Sequence, residues 1–216
     1  TQLNDMTGTS GSDPDLVAIY PADTINTCIL EFDIIPICDT LKLTYVFASE
    51  EYPDYVCSQY NDAFGFFISG PNPLGGNYTS KNIALVPGSN VAVAINSING
   101  GAIGINGTAG GCGGPGDPGL NNTGYYVNNQ GGTTIAYNGF TVPLTASVPV
   151  VTCQTYHLKL AIADAVDQIF DSGVFLEQNG LNCPGTSVDI TVLADTATEG
   201  CVSGSIQITR GGDLTT

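Results

Sequence analysis

The residues with the most chemistry in them are carboxylates that follow two apolar runs. In LKLTYVFASEEYPDYVCSQYNDAFGFFISG, Leu41 to Gly70, the acids Glu50, Glu51, Asp54 and Asp62 stand with Asn61 after an alternating apolar run. In YHLKLAIADAVDQIFDSGVFLE, Tyr156 to Glu177, Asp164, Asp167 and Asp171 stand with Ser172 in the same position. Hard oxygen donors in this number suit a divalent cation; Ca2+ takes roughly six to eight oxygens, carboxylates mixed with amide and backbone carbonyls. Carboxylates brought close without a cation raise one another's pKa. A calcium site is therefore expected at Glu50, Glu51, Asp54, Asp62, Asp164, Asp167 and Asp171. The spacing is not that of an EF-hand loop. The same acids also read as ordinary solvated loop residues of an acidic surface.

Two strands must deliver these groups. Leu41, Leu43, Tyr45 and Phe47 fall on one face and Lys42, Thr44 and Val46 on the other, the period of a half-buried strand. Pro53-Asp54 marks a turn, and a second strand is expected over Ala63–Ser69. Each organising strand starts near a cysteine, Cys38 or Cys153, and ends at an acid, Glu50 or Asp164. If the two strands lie side by side or face each other, the acids converge at one end and the cysteines pair at the other. That layout predicts a Cys38–Cys153 disulfide.

Composition narrows the class. The chain has 216 residues with four Lys+Arg against 20 Asp+Glu, a formal charge of −16, so no basic patch exists to meet nucleic acid phosphates. A 42% hydrophobic content supports a core, and 28 Gly with no Trp favours short strands and many turns. No apolar run reaches membrane-spanning length, so no membrane insertion is expected. No signal peptide stands at Thr1, which is expected of a mature form or of a fragment of something longer.

Seven cysteines without a C-x-x-C pair, beside the single His157, speak against structural zinc and for disulfides in an oxidising compartment. Cys57–Cys112 would pin the Gly-rich stretch 99–122 beside the acidic loop, and Cys28–Cys183 would be the remaining pair, with Cys201 left over. Connectivity does not follow from spacing.

Further strands are expected at Leu16–Tyr20, Thr27–Ile35, Ile83–Val86, Val91–Ile95, Tyr125–Asn128, Thr133–Tyr137 and Phe140–Ala146, with a loop over Gly70–Lys81. No segment has the 3.6-residue period. The fold class is all-β, an antiparallel, jelly-roll-like β-sandwich. A break after Gly180 divides it into a sandwich over 1–182 and, over 183–216, the first strands of a following Ig-like β-sandwich module. The alternative is that the tail strands complete the first sandwich.

The blocks YVFASEEYPDYVCSQYNDAFGFFISGPNP, NIALVPGSNVAVAINSING, GGTTIAYNGFTVPLTA and CQTYHLKLAIADAVDQIFDSGVFLE together resemble the choice-of-anchor L domain, over roughly residues 10–180. The resemblance implies a surface or secreted module of long adhesin-like bacterial chains, common in Bacteroidota and exported there by type IX secretion. It implies location and architecture rather than an activity. The expected role is a non-enzymatic module in a long adhesin or filament, stiffened by Ca2+ and disulfides, serving attachment or gliding motility. Its partners would be neighbouring modules of the same chain, a surface glycan or further copies. Asp-Thr followed by an apolar residue, at Thr24, Thr40 and Thr196, resembles the O-glycosylation signal of that phylum. The sequons at Asn77, Asn106 and Asn121 are expected by chance.

Two alternatives remain. Tyr52, Tyr55 and Tyr60 beside the acids would suit a calcium-assisted carbohydrate-binding surface. Glu50 or Glu51 with Asp62 or Asp164 would suit a glycoside hydrolase pair. No nucleophile elbow and no phosphate loop supports another enzyme class.

Overall fold

The computed structural model describes residues 12–20, 24–112, 119–133, 135–178, 180–183, 186–192, 196–198 and 206–210. One helix, α1 (Pro14–Ile19), precedes the strands β1 (Thr24–Ile34), β2 (Thr40–Ser49), β3 (Ala63–Pro71) and β4 (Asn77–Asn82). After a long irregular stretch come β5 (Tyr126–Asn128), β6 (Gly139–Thr141), β7 (Leu144–Pro149), β8 (Tyr156–Ala165) and β9 (Ser172–Leu176). The tail supplies β10 (Asn182–Cys183), β11 (Thr186–Val192), β12 (Thr196–Thr198) and β13 (Ile206–Arg210).

These strands form two antiparallel sheets, the all-β sandwich that the composition implies. The first has the order β1-β8-β3-β4. The second is built on β2, which pairs with β9 over Tyr45–Ser49, with β7 over Thr40–Tyr45 and with β6 at Ala48–Ser49. The alternation in β2 holds: Leu41, Leu43, Tyr45 and Phe47 are buried while Lys42 is exposed. Tyr45 and Phe47 meet Phe64 of β3 across the interior, ring centroids 5.3 and 6.4 Å apart.

The middle strands of the first sheet, β3 and β8, are buried on both faces. The cause is α1, whose Leu16 packs on Ala63, Phe67, Ala161 and Ala163. A short strand was expected over Leu16–Tyr20; the segment is helical instead. Pro14 occupies the first turn, and the Asp13 side chain caps it by accepting from the Asp15 and Leu16 N–H groups. Lys159 of β8, on the covered face, is neutralised by Asp13 at 2.7 Å and by Asp15. Burial lowers the Lys159 pKa, but the two carboxylates outweigh it and the net shift is upward.

Other local expectations fail too: the described residues of the expected strand Thr133–Tyr137 form bends, not a strand. Ile83, Val86, Val93 and Ile95 are buried, yet 83–95 is turn-rich, with a single bridge at Leu85–Ala92. The sequence GPNPLGGNYTSK, expected to be loop, contains the edge strand β4. Past residue 182, β10 pairs with β2 at Asn182–Lys42 and with β11, and β12 pairs with β9 over Thr196–Thr198. The backbone thus pairs with the second sheet at Asn182, the expected domain limit, and again beyond it at Thr196–Thr198.

Candidate functional site

The turn after β2 and the turn after β8 meet. Glu50 N–H donates to the Asp171 carbonyl at 3.1 Å. The Asp62 carboxylate, just before β3, accepts from the Ala165 N–H at 3.1 Å and from the Ser172 hydroxyl at 2.7 Å. The strand ends are arranged for this: β2 and β9 pair through Ser49–Ser172, and β3 and β8 pair through Ala63–Ala163. The convergence expected of the two acidic tips is present.

Five of the seven expected ligands lie inside this junction. Glu50, Glu51, Asp62, Asp164 and Asp171 are at most 5% exposed. Glu51 accepts from the Ser49 hydroxyl, its own N–H donates to Ser49 Oγ at 3.0 Å, and its carboxyl hydrogen-bonds to that of Asp62. Burial, and then the charge of Asp62, pushes Glu51 well above the ordinary carboxylate range. Burial, and then the charge of Asp164, pushes Asp62 up to about 7. A hydrogen bond between two carboxyls requires that one keep its proton. Asp164 accepts from Asn26 Nδ2 at 2.9 Å.

The remaining two stand on the rim. Asp54 is half-buried and Asp167 accepts from the Ile169 N–H at 3.1 Å, closing a local turn. Asn61 is a brace, since its Oδ1 accepts from the Asn96 N–H at 2.9 Å. As placed, no group of three His, Cys, Asp or Glu side chains among the described residues is spaced to hold a metal ion.

The expected Cys57–Cys112 disulfide is present and ties the Gly-rich stretch to the acidic turn. Gly104 N–H, Asn106 N–H and Thr108 N–H donate to the carbonyls of Val56, Asp54 and Cys57 at 2.9–3.0 Å. A Cβ at Gly104, Gly107 or Gly111 would collide with backbone atoms of Pro53–Cys57. The glycines are there because two backbones touch.

The Cys38–Cys153 expectation is corrected. Cys38 is bonded elsewhere and Cys153 is a free, exposed thiol. The two segments do approach, Cys153 N–H donating to the Pro36 carbonyl at 2.8 Å, but Cys38 is 8% exposed and faces the core while Cys153 faces solvent. Cys28 is also disulfide-bonded. The Cys183 side chain and Cys201 lie outside the described residues, and with them the Cys28–Cys183 expectation. Thr24, expected to accept a glycan, is 2% exposed, so its hydroxyl is out of reach in the folded state. Thr40 is half-buried in β2, and the Thr196 side chain lies outside the described residues.

Of the three tyrosines expected at a sugar site, Tyr52 is buried and its hydroxyl donates to the Ile98 carbonyl at 2.6 Å. Tyr55 packs edge-on against Tyr60 at 5.4 Å and meets Phe170 at 5.5 Å. Sequence reasoning missed Asn26, Ser49 and Phe170. Asn26 had a signal: a polar residue interrupts the apolar side of TINTCIL, and it sits at φ 52 in a β-bulge of β1.

A family model for the choice-of-anchor L domain matches residues 1–182. Comparison with curated proteins and with solved structures returns no match. Among the described residues no helix is long and apolar enough to cross a membrane.

Proposed function

Since the chain belongs to the choice-of-anchor L domain family and is thereby a module of a surface or secreted protein, we propose that it is a non-enzymatic structural and adhesion unit of a long chain. Its acidic junction would be held by Ca2+ and its long loop by a disulfide. The observation that carries this reading is the Glu51–Asp62 pair. Two carboxyls at 2% and 1% exposure touch each other, and among the described residues no Lys, Arg or His forms an ion pair with either. A buried like-charge pair is stable only with a proton or a cation between its members. At acid pH the proton serves. At neutral pH Ca2+ would displace it, drawing Glu51 and Asp62 out of their mutual hydrogen bond and adding oxygens from Glu50, Asp164 and Asp171. Asp54 and Asp167 would then reach it only through water.

Such a cross-brace suits a unit in series with neighbouring modules, with 183–216 as the passage to the next. Export by type IX secretion in a Bacteroidota-type host, with a role in attachment or gliding motility, completes the proposal. Thermal melting at neutral pH tests it. Ca2+ should raise the melting temperature over the chelated protein, and Asp62→Asn should abolish the shift. An unchanged melting temperature in the wild type rejects the ion.

Burial of the acids weighs against the hydrolase alternative, because a sugar cannot reach Glu51 or Asp62 in the folded chain. The carbohydrate-binding alternative rests on the partly exposed rings of Tyr55, Tyr60 and Phe170 above the junction. A glycan array with and without chelator separates it from a purely structural role.

A further inference from the structure

Away from the acidic junction, a groove of about 790 Å³ runs between the end of α1, the end of β4 and the turn-rich segment 85–97. Its lining inverts the character of the rest of the surface. The chain carries 20 acids against four cations, yet among the described residues no Asp or Glu lines the groove and one cation, Lys81, does.

Two amides of the lining, Asn82 and Asn61, have their oxygens consumed by backbone N–H groups. Asn82 Oδ1 accepts from the Phe66 and Ala84 N–H groups at 3.1 and 3.0 Å, which fixes the orientation of the side chain. Its Nδ2 is buried without an acceptor, closed off from a molecule in the groove. Asn61 Oδ1 is used by the Asn96 N–H, leaving its Nδ2 to donate. Asn90 is exposed at the rim. The Lys81 ammonium lies 4.9 Å from the Tyr78 ring centroid and makes no ion pair among the described residues. Leu85 and Val91 supply apolar surface between these donors.

A donor-rich, acid-free groove with one cation fits a ligand rich in acceptors and carrying negative charge. Alternation of donors with small apolar patches matches a pyranose, whose ring faces are apolar and whose rim is polar. An extended peptide fits less well. It would need a regular strand edge, and β4 is broken by a register shift opposite Ile68–Gly70 and by Ser80 at φ 42. We propose that this groove binds a carboxylate-bearing glycan, a uronate oligosaccharide, with Lys81 on the carboxylate and Asn61 and Asn90 on ring oxygens.

The groove shares no carboxylate with the acidic junction; Asn61 precedes Asp62 in the chain, but none of the proposed calcium ligands lines the groove, so its binding is independent of calcium. It draws on the surface location of the chain and not on the calcium reading. Calorimetric titration of the full chain with a short oligogalacturonate tests it, beside a neutral oligosaccharide of equal length and oligoglutamate. The expected result is uronate binding at least about tenfold tighter than that of either comparison ligand. EDTA should leave it unchanged. Lys81→Gln should weaken it by about tenfold at an unaltered melting temperature, as expected for a lost charge-assisted hydrogen bond, and Asn90→Ala should weaken it less. Absence of uronate binding overturns the proposal. So does equal binding of the neutral sugar, equal or tighter binding of oligoglutamate, loss in EDTA, or indifference to Lys81→Gln.

Discussion

Asp62 and Ser172 stand 110 residues apart in sequence and 2.7 Å apart in space, the Ser172 hydroxyl donating to Asp62 Oδ2. With its other oxygen on the Ala165 N–H at 3.1 Å, the Asp62 carboxylate ties the foot of β3 to the end of β8 and the start of β9. One buried side chain thus fastens both sheets at a single end of the sandwich.

The metal-free protein should lose stability as pH rises through the range from the ordinary Asp value of 3.8 to about 7. In that window the folded chain keeps a proton on Asp62 that the unfolded chain has released. The native state therefore binds more protons, and stability falls with pH. Below the window Asp62 is protonated in both states, and above it the Asp62 share of the penalty is complete, while Glu51, also raised, adds its own share in the same direction. Chemical denaturation in EDTA at stepped pH measures this, and Asp62→Asn should flatten the slope. A rise in stability across the window would contradict the assignment.

Gly107→Ala and Gly111→Ala should each destabilise by about 1–3 kcal/mol, the usual cost of overpacking. The added methyl meets the carbonyls of Val56 and Cys57 respectively. Gly110→Ala, where a Cβ meets nothing within 4 Å, is the control. Urea midpoints would report all three, and equal costs at Gly110 and Gly111 would refute close backbone packing as the reason for the glycines.

Removing the Cys57–Cys112 bridge as the paired serine variant should cost about 2–4 kcal/mol. The disulfide closes a separation of 55 residues and anchors the long loop to the acidic turn. Protease nicking between residues 99 and 112 should rise in step. In the unmodified native protein, a thiol reagent should label Cys153 without denaturant, because it is free and exposed.

Tyr45→Phe should be neutral or stabilising by about 1 kcal/mol, because an unsatisfied buried hydroxyl costs more than a methine in its place. The Tyr45 hydroxyl is buried without a hydrogen-bond partner, and burial raises its pKa. A loss of more than about 1 kcal/mol on thermal or urea unfolding would reveal a partner for it.

What the sequence discloses here is what repeats or clusters along it. The alternation Leu41, Leu43, Tyr45, Phe47 discloses β2, and the acids after β2 and β8 disclose the junction. Helix α1 was legible in Asp13-Pro14, a capping residue before a proline, but six residues are too few for a helical period to show. The stretch 83–95 misleads because its apolar residues are buried in turns braced by side chains such as Ser89 and Ser97. The matching layout of Cys38 and Cys153 around the two strands is real, but a disulfide needs the two side chains to converge on each other. One points into the core and the other outward. Asn61 was legible only as a neighbour of the acids and not as part of the groove, since its role depends on which amide atom the backbone consumes.

Calcium titration of the chelated protein by calorimetry, at pH 7 in two buffers of different ionisation heat, tests the central claim most directly. Saturable binding, with protons released to the buffer as Ca2+ replaces the one held between Glu51 and Asp62, and loss of both signals in Asp62→Asn, is the predicted result. Absence of binding heat in both buffers, or binding that releases no protons and survives Asp62→Asn, would contradict it.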